Sequence, residues 1–160
     1  MKTSRAVMLA ALMAVPPGQL SASGLPVPIP DRARGAERVV VARIADLHAT
    51  FETNEFGDQL IVSHVKLEVE ESLKGRAEPL VDIDVLGGTV GDLTLEVSTL
   101  PRLTRGERAV FFLARDKHTG KLVPHLRGQG ILKLESDNRV KRSSLDLPTI
   151  KQLVASAVDR

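Results

Sequence analysis

The chain has 160 residues, with 22 Lys and Arg against 20 Asp and Glu, and it contains no Cys, Trp or Tyr. This near balance of charge argues against a nucleic-acid-binding protein, which relies on an excess of basic residues. The missing Trp and Tyr argue against sugar or base sites built on flat aromatic faces. Because no disulfide can form, one buried core must stabilise the fold.

Residues 1–23 have the pattern of a secretory signal peptide. Lys2 and Arg5 precede the apolar run 6–15, which is too short to cross a bilayer, and small polar residues follow it. The sequence therefore predicts a secreted or periplasmic protein that is not inserted in the membrane after cleavage. Without the two basic residues of this segment, 20 basic residues stand against 20 acidic ones, so the predicted mature chain is formally neutral.

Residues 24–36 hold three Pro and two Gly without any periodicity, which predicts an extended linker. We expect one folded domain over residues 37–160. Its first element is predicted at 39–44, where a β-branched run is typical of a strand buried on both faces. Residues 48–58 are mostly polar and predict a connecting loop.

The clearest strand pattern runs from residue 60 to residue 73. Ile61, Val65 and Leu67 alternate with polar residues at the period of two that a half-buried strand requires. Glu71 falls on the apolar side of this alternation, so we expect a β-bulge near it, which would let the sheet curl. Alternation also predicts strands at 81–85 and 93–97, and the continuous apolar run 109–113 predicts the most hydrophobic strand. Pro124 indicates an edge or irregular strand at 121–126, and further strands are expected at 131–134 and 139–141.

The periodicity changes near the C-terminus. Ile150, Val154 and Ala157 recur at helical spacing, and Pro148 suits a first helical turn, so we expect a helix over 148–158. Several short strands, one long bent strand and one helix favour a mainly β protein. We expect a small curled β-barrel, OB-like in architecture, with one C-terminal α-helix. A β-sandwich is the alternative.

Three segments carry a resemblance to a known family. They are Leu73-Lys74-Gly75, the glycine-rich turn 87–91, and residues 101–107 running into the apolar strand 109–113. With them, residues 37–135 resemble the OB-like, netrin-like domain of secreted bacterial proteins.

The resemblance implies a β-barrel and a class of partner. Similar segments accompany matrixin-type metalloproteases, and the arrangement is similar to the N-terminal barrel of the tissue inhibitors of metalloproteinases. A secreted metalloprotease is therefore one candidate partner. Those inhibitors chelate the protease zinc through a mature N-terminal Cys, and this chain has no Cys. Inhibition by this protein would need another contact.

Candidate metal ligands occur in two groups. Asp82 and Asp84 share one face of a predicted strand and, with Asp92 or Glu96, offer the oxygen ligands that Ca²⁺ prefers. A solvent-facing strand carries such alternating carboxylates without any metal, so we predict no metal site or cofactor here. The chain also has four histidines, His48, His64, His118 and His125. Their separations match no zinc motif, although a site that forms only in the fold stays open.

The sequence carries no recognisable catalytic motif. Ser63 adjoins His64, but neighbouring residues of a strand point to opposite faces, so their side chains cannot form a working pair. No Gly-x-Ser-x-Gly elbow occurs. We therefore expect no enzyme, with a hydrolase whose site forms only in the fold as the alternative.

These patterns together predict a non-catalytic secreted module that binds a protein partner or an envelope component through loops at one end of the barrel. The candidate contact residues are Phe51, Phe56, Gly87, Gly88, Thr89 and Asp92. The two Phe side chains could equally fold back and cover the barrel end. A protease-inhibitor or metalloprotease-accessory role is an alternative, while the neutral charge and missing aromatics disfavour oligonucleotide or sugar binding.

Overall fold

The computed structural model describes residues 25–158, so the predicted signal peptide, 1–23, lies outside the described residues. The elements in chain order are helix α1 (Ile29–Gly35), strands β1 (Arg38–Thr53), β2 (Gln59–Lys74), β3 (Leu80–Leu86), β4 (Gly88–Val90), β5 (Leu93–Leu95), β6 (Arg108–Arg115) and β7 (Leu122–Pro124), a 3-10 helix (Arg127–Gly130), strand β8 (Ile131–Lys133) and helix α2 (Leu147–Val158). None of the helices in this part of the chain is long and apolar enough to span a membrane.

The strands form one large antiparallel sheet and one small hairpin. The large sheet has the order β3-β2-β1-β6-β7, with β8 also pairing with β6, and β4 and β5 pair only with each other. Strands β3 and β7, at the two ends of this order, contact each other but are not joined by backbone pairing. The sheet is therefore curled but not closed. The predicted mainly β class and the C-terminal helix are confirmed.

Strands β1 and β2 bend together because their pairing is interrupted by bulges. Val41 pairs with Glu71 and Ala42 with Val69, which leaves Glu70 as an extra residue in β2. The bulge predicted near Glu71 is thus confirmed. A further bulge leaves Ala45 as an extra residue in β1, where Ile44 and Asp46 pair with consecutive residues of β2.

The first half of β1 and the middle of β6 are buried on both faces, which explains why residues 109–113 are uniformly apolar. On the inner face of the curled sheet, β1 and β6 pack with β2 and β3 through Val40, Ala42, Phe111, Leu113, Val65, Leu67 and Ile83. On the outer face they pack beneath the two helices through Val39, Val41, Val110, Phe112, Ile29, Ala33, Ile150 and Val154. The sheet therefore carries a core on each side.

The prediction of an extended linker over 24–36 is wrong for residues 29–35, which form helix α1. Pro30 stands in the first turn, where a missing N–H costs nothing, and Ala33 is fully buried in the core beneath α2. Lys74 Nζ donates hydrogen bonds to the carbonyl oxygens of Ala33 and Ala36, at 2.7 and 2.6 Å, and so caps the helix end.

Two further element predictions are corrected by the structure. The predicted loop 48–58 is strand as far as Thr53, and only residues 54–58 form the turn between β1 and β2. The predicted strand 139–141 is reduced to isolated bridges, in which Val140 pairs with Leu134 and Arg139 with Asp146. The polar composition misled the first prediction, because the C-terminal half of β1 carries polar side chains on the outer face of the sheet.

Candidate functional site

A groove lies between the inner face of β1 and β2 and the chain that follows β3. Its volume is about 600 Å³, within the range of sites that hold ligands. Its walls are mainly apolar and come from β1, from the β4–β5 hairpin and from the segment after it, with Leu47, Ala49, Val85, Leu95, Val97, Leu100 and Leu103 among the lining residues. The groove also contains the predicted contact residues Gly87, Gly88 and Thr89.

Gly88 brings the β4–β5 hairpin close to the sheet. Its φ is 132°, and a Cβ at this position would lie 2.5 Å from Ser63 Oγ and 2.9 Å from the Cβ of Ala49. Ser63 Oγ donates a hydrogen bond of 2.6 Å to the Gly87 carbonyl oxygen, which holds the hairpin in place. A residue with a side chain does not fit here, so the glycine is required for the close approach.

The C-terminal half of β1, from Asp46 to Thr53, has a free edge beside this groove. Strand β6 pairs with β1 only from Arg38 to Arg43, and one further pair of backbone hydrogen bonds joins Ile44 to the turn before β6. From Asp46 to Thr53, β1 pairs with β2 alone, and no other strand of the described chain pairs with its second edge. An edge strand of this kind exposes backbone donors and acceptors.

The other predicted contact residues do not line the groove. Phe51 follows Ala49 on the same face of β1 and is 46% exposed. Phe56 stands in the turn between β1 and β2 and is 80% exposed, so it does not cover the end of the sheet. Asp92 is exposed in the turn between β4 and β5. The structure thus brings Gly87, Gly88 and Thr89 together and leaves Phe56 and Asp92 at the periphery.

A polar cluster lies on the outer face of β1, β2 and β3. His48 in β1 lies opposite His64 in β2, and His64 lies opposite Asp84 in β3, so the three side chains form one row across the sheet. The imidazole rings of the two histidines lie 5.1 Å apart. His64 Nδ1 is 2.8 Å from Asp84 Oδ1, while its Nε2 is 2.9 Å from Thr50 Oγ1 and 3.2 Å from Glu52 Oε1.

Lys121 completes this cluster from the turn before β7. Its Nζ lies 2.6 Å from Asp84 Oδ2 and 3.3 Å from Glu52 Oε1. The hydrogen bond with Asp84 is the main cause that raises the pKa of Lys121 above its ordinary value, and Glu52 adds to the effect. A positive charge therefore already stands between the two carboxylates.

Within residues 25–158, Glu52, His64 and Asp84 are the one group of His and acidic side chains spaced for a shared metal ion, with ligand atoms within 4.8 Å of one another. The two carboxylates, however, face opposite nitrogens of the imidazole ring, and a metal binds through only one of them. The ammonium of Lys121 occupies the space between them. The arrangement fits an ion-pair network better than a metal centre.

The residues predicted as metal candidates are otherwise dispersed. Asp82 shares the outer face with Asp84, as expected, but the residue opposite it in β2 is Lys66. His118 pairs with Glu55 in an exposed turn, at 3.2 Å. His125 packs against Gly35 at the end of α1, and burial, with Lys74 nearby, lowers its pKa. Glu52 and Lys121 were not predicted as members of any site, because only the cross-strand register brings them together.

The chain matches no protein-family model and no curated protein. The functional assignment therefore depends on the geometry of the groove, the free edge and the polar cluster.

Proposed function

We propose that the protein is a non-catalytic secreted module that binds a protein partner at the groove. The observation that carries this proposal is the combination of an apolar groove of about 600 Å³ with exposed apolar side chains beside it. Phe51 is 46% exposed and Leu93, in the β4–β5 hairpin, is 61% exposed. Apolar side chains gathered around a concave site are typical of interaction surfaces.

We also propose that the curled sheet is an open, OB-like barrel that holds this site. Three features support the proposal: the bulges in β1 and β2, the packing of β7 beside β3, and the Lys121 ion pair across that junction. The signal-peptide pattern of residues 1–23 supports a periplasmic or secreted location. The netrin-like resemblance makes an envelope protein or a secreted metalloprotease the candidate partner.

Site-specific cross-linking tests the proposal. A photoreactive phenylalanine analogue replaces Phe51 or Leu93, which stand beside the groove, in cells that make the protein. Val158, which is exposed at the end of α2 on the opposite face of the sheet, serves as the matched control. We expect a discrete protein adduct from the first two positions and none from the control. Equal labelling from all three positions, or no adduct from Phe51 and Leu93, would contradict the proposal.

A hydrolase is the second candidate, because Thr50, His64 and Asp84 form a hydroxyl–imidazole–carboxylate chain with contacts of 2.9 and 2.8 Å. Two features oppose it: Glu52 competes with Thr50 for the same ring nitrogen, and Lys121 stands over the cluster. Hydrolysis of p-nitrophenyl acetate distinguishes the two functions. The binding proposal expects the same rate for the wild type and Thr50→Val, and a rate that falls at least tenfold in the variant would favour the hydrolase.

A further inference from the structure

We infer that the partner binds as an extended strand that pairs with the free edge of β1 between Leu47 and Phe51. This inference rests on the proposed function and names the chemistry of the partner: a polypeptide segment in β conformation with apolar side chains at alternate positions.

The direction of the backbone groups follows from the pairing of β2. Gly87 N–H donates to the Ile61 carbonyl oxygen at 2.8 Å, so the backbone of Ile61 faces β3 and not β1. Phe51 lies opposite Ile61. In an antiparallel pair, two opposite residues that do not hydrogen-bond to each other both direct their N–H and C=O groups away from the partner strand. The N–H and C=O of Phe51 therefore point out of the sheet, and those of Ala49, two residues earlier, do the same.

Most of these groups have no partner in the structure. No hydrogen bond within residues 25–158 involves the backbone of Ala49 or Phe51 on this edge. Leu47 N–H is the exception, because it donates to Asp46 Oδ1 at 2.9 Å, and this bond lowers the pKa of Asp46. The ion pair of Asp46 with Arg105 stands beside it. The edge is thus closed near Asp46 and open beyond it.

The free groups repeat every second residue, at a spacing of about 7 Å, which only another β-strand reproduces. Leu47 and Ala49 belong to the free edge, and their side chains line the groove. A strand added to this edge would therefore direct every second side chain towards the groove. Strand addition of this kind takes its affinity from main-chain hydrogen bonds and its specificity from alternate side-chain pockets. The apolar lining therefore favours apolar residues at every second position of the partner.

A different chain fits this edge better than a second copy of the protein. Antiparallel pairing of two copies about Ala49 would place Asp46 of one strand opposite Glu52 of the other, twice in the same interface. Like charges opposite each other destabilise a strand pair. A heterologous segment without acidic residues at those positions avoids this cost.

Peptide selection and amide hydrogen exchange test the inference. Random 12-residue peptides displayed on phage are selected against the purified protein, and one selected peptide is synthesised. On binding, we expect exchange of the Ala49 and Phe51 amides to slow at least tenfold and exchange of the Thr50 amide, which already bonds β2, to change little. Peptide binding that leaves the Ala49 and Phe51 amides unchanged would overturn the edge inference while preserving the groove function.

A proline pair provides the matched variants. Ala49→Pro removes an N–H from the free edge of β1, whereas Asp82→Pro removes one from the outer edge of β3, where the backbone also points away from β2. We expect the first to weaken peptide binding at least tenfold and the second less than twofold, with both folds verified by circular dichroism. Equal losses would overturn the inference, as would a wild-type dimer that Ala49→Pro dissociates. If no peptide binds and the cross-links at Phe51 also fail, the proposed function itself is wrong.

Discussion

Lys121 and Asp84 face each other across the junction between β7 and β3, where contact is not accompanied by backbone pairing. Their contact of 2.6 Å joins a carboxylate that is only 17% exposed to an ammonium on the neighbouring turn. Glu52, from the far end of β1, approaches the same ammonium at 3.3 Å. The ion pairs therefore connect β1, β3 and the turn before β7 at the place where hydrogen bonding does not close the sheet.

Replacing Lys121 should loosen this junction without unfolding the protein. Lys121→Met keeps most of the apolar stem and removes the charge, and we expect the free energy of unfolding to fall by about 1 kcal/mol, since half-exposed ion pairs contribute on that order. Urea denaturation measures the loss, and a double-mutant cycle with Asp84→Asn isolates the pair. Lys117→Met, in the same exposed turn, is the control and should change stability little. Equal losses in the two Lys variants would assign the effect to the turn and not to the ion pair.

The same lysine determines whether the polar cluster can bind a metal. We expect Zn²⁺ to leave the thermal midpoint of the wild type unchanged, because the ammonium neutralises the carboxylates of Glu52 and Asp84. In Lys121→Ala this competing charge is lost, which leaves His64 and the carboxylate beside one of its nitrogens free to bind Zn²⁺. We expect Zn²⁺ to raise the midpoint by several degrees, as any ligand of the folded state does. Adding His64→Gln should abolish that rise. A zinc-dependent rise in the wild type would instead identify a metal centre.

Period-two alternation predicted the strands well wherever one face is buried. The alternation around Val65 and Leu67 places both in the inner core, whereas the run 109–113 in β6 was predicted from its uniform hydrophobicity and is buried on both faces. The bulge near Glu71 was visible because one extra residue shifts the alternation. These features could be predicted from the local sequence, because each depends on which face of a single strand packs against the core.

Other features depended on partners distant in the chain. His64 and Asp84 are 20 residues apart, and only the register between β2 and β3 makes them neighbours. Helix α1 was missed because the three Pro residues in and before it are typical of linkers, although Pro30 suits a first helical turn. The free edge of β1 could not be predicted either, because it arises where β6 stops pairing. Gly87, Gly88 and Thr89 were predicted as contact residues because binding residues tend to lie on loops fixed by a rigid sheet. They do line the groove, and their role in binding stays a prediction.

Gly88 should tolerate no side chain. In Gly88→Ala the new Cβ meets Ser63 and Ala49 at less than 3 Å, and the backbone keeps a φ of 132°. We expect a loss of about 2–4 kcal/mol in the free energy of unfolding, from overpacking together with backbone strain. Gly91→Ala is the matched control, because its φ of 58° is also positive but its Cβ would meet nothing within 4 Å. Its cost should be only about 1 kcal/mol, and similar losses at both sites would contradict the close packing of the hairpin.

His125 should make the stability of the protein sensitive to mild acid. Burial lowers its pKa in the folded state, and the charge of Lys74 acts in the same direction. The unfolded chain, with a His pKa of about 6.5, therefore binds the proton more readily than the folded one. Stability must then fall as the pH drops below about 6.5 and be unaffected by this group well above that value.

The variant His125→Gln isolates this contribution, because Gln cannot titrate. We expect the free energy of unfolding, from urea denaturation, to fall more steeply for the wild type than for the variant between pH 7 and pH 5. The comparison between pH 7.5 and pH 8.5 is the internal control, because both states of the wild type carry a neutral imidazole there and the two slopes should agree. Parallel curves over the acidic range would show that the folded protein binds the proton at His125 as readily as the unfolded chain does, which is incompatible with a half-buried ring packed against Gly35 and close to Lys74.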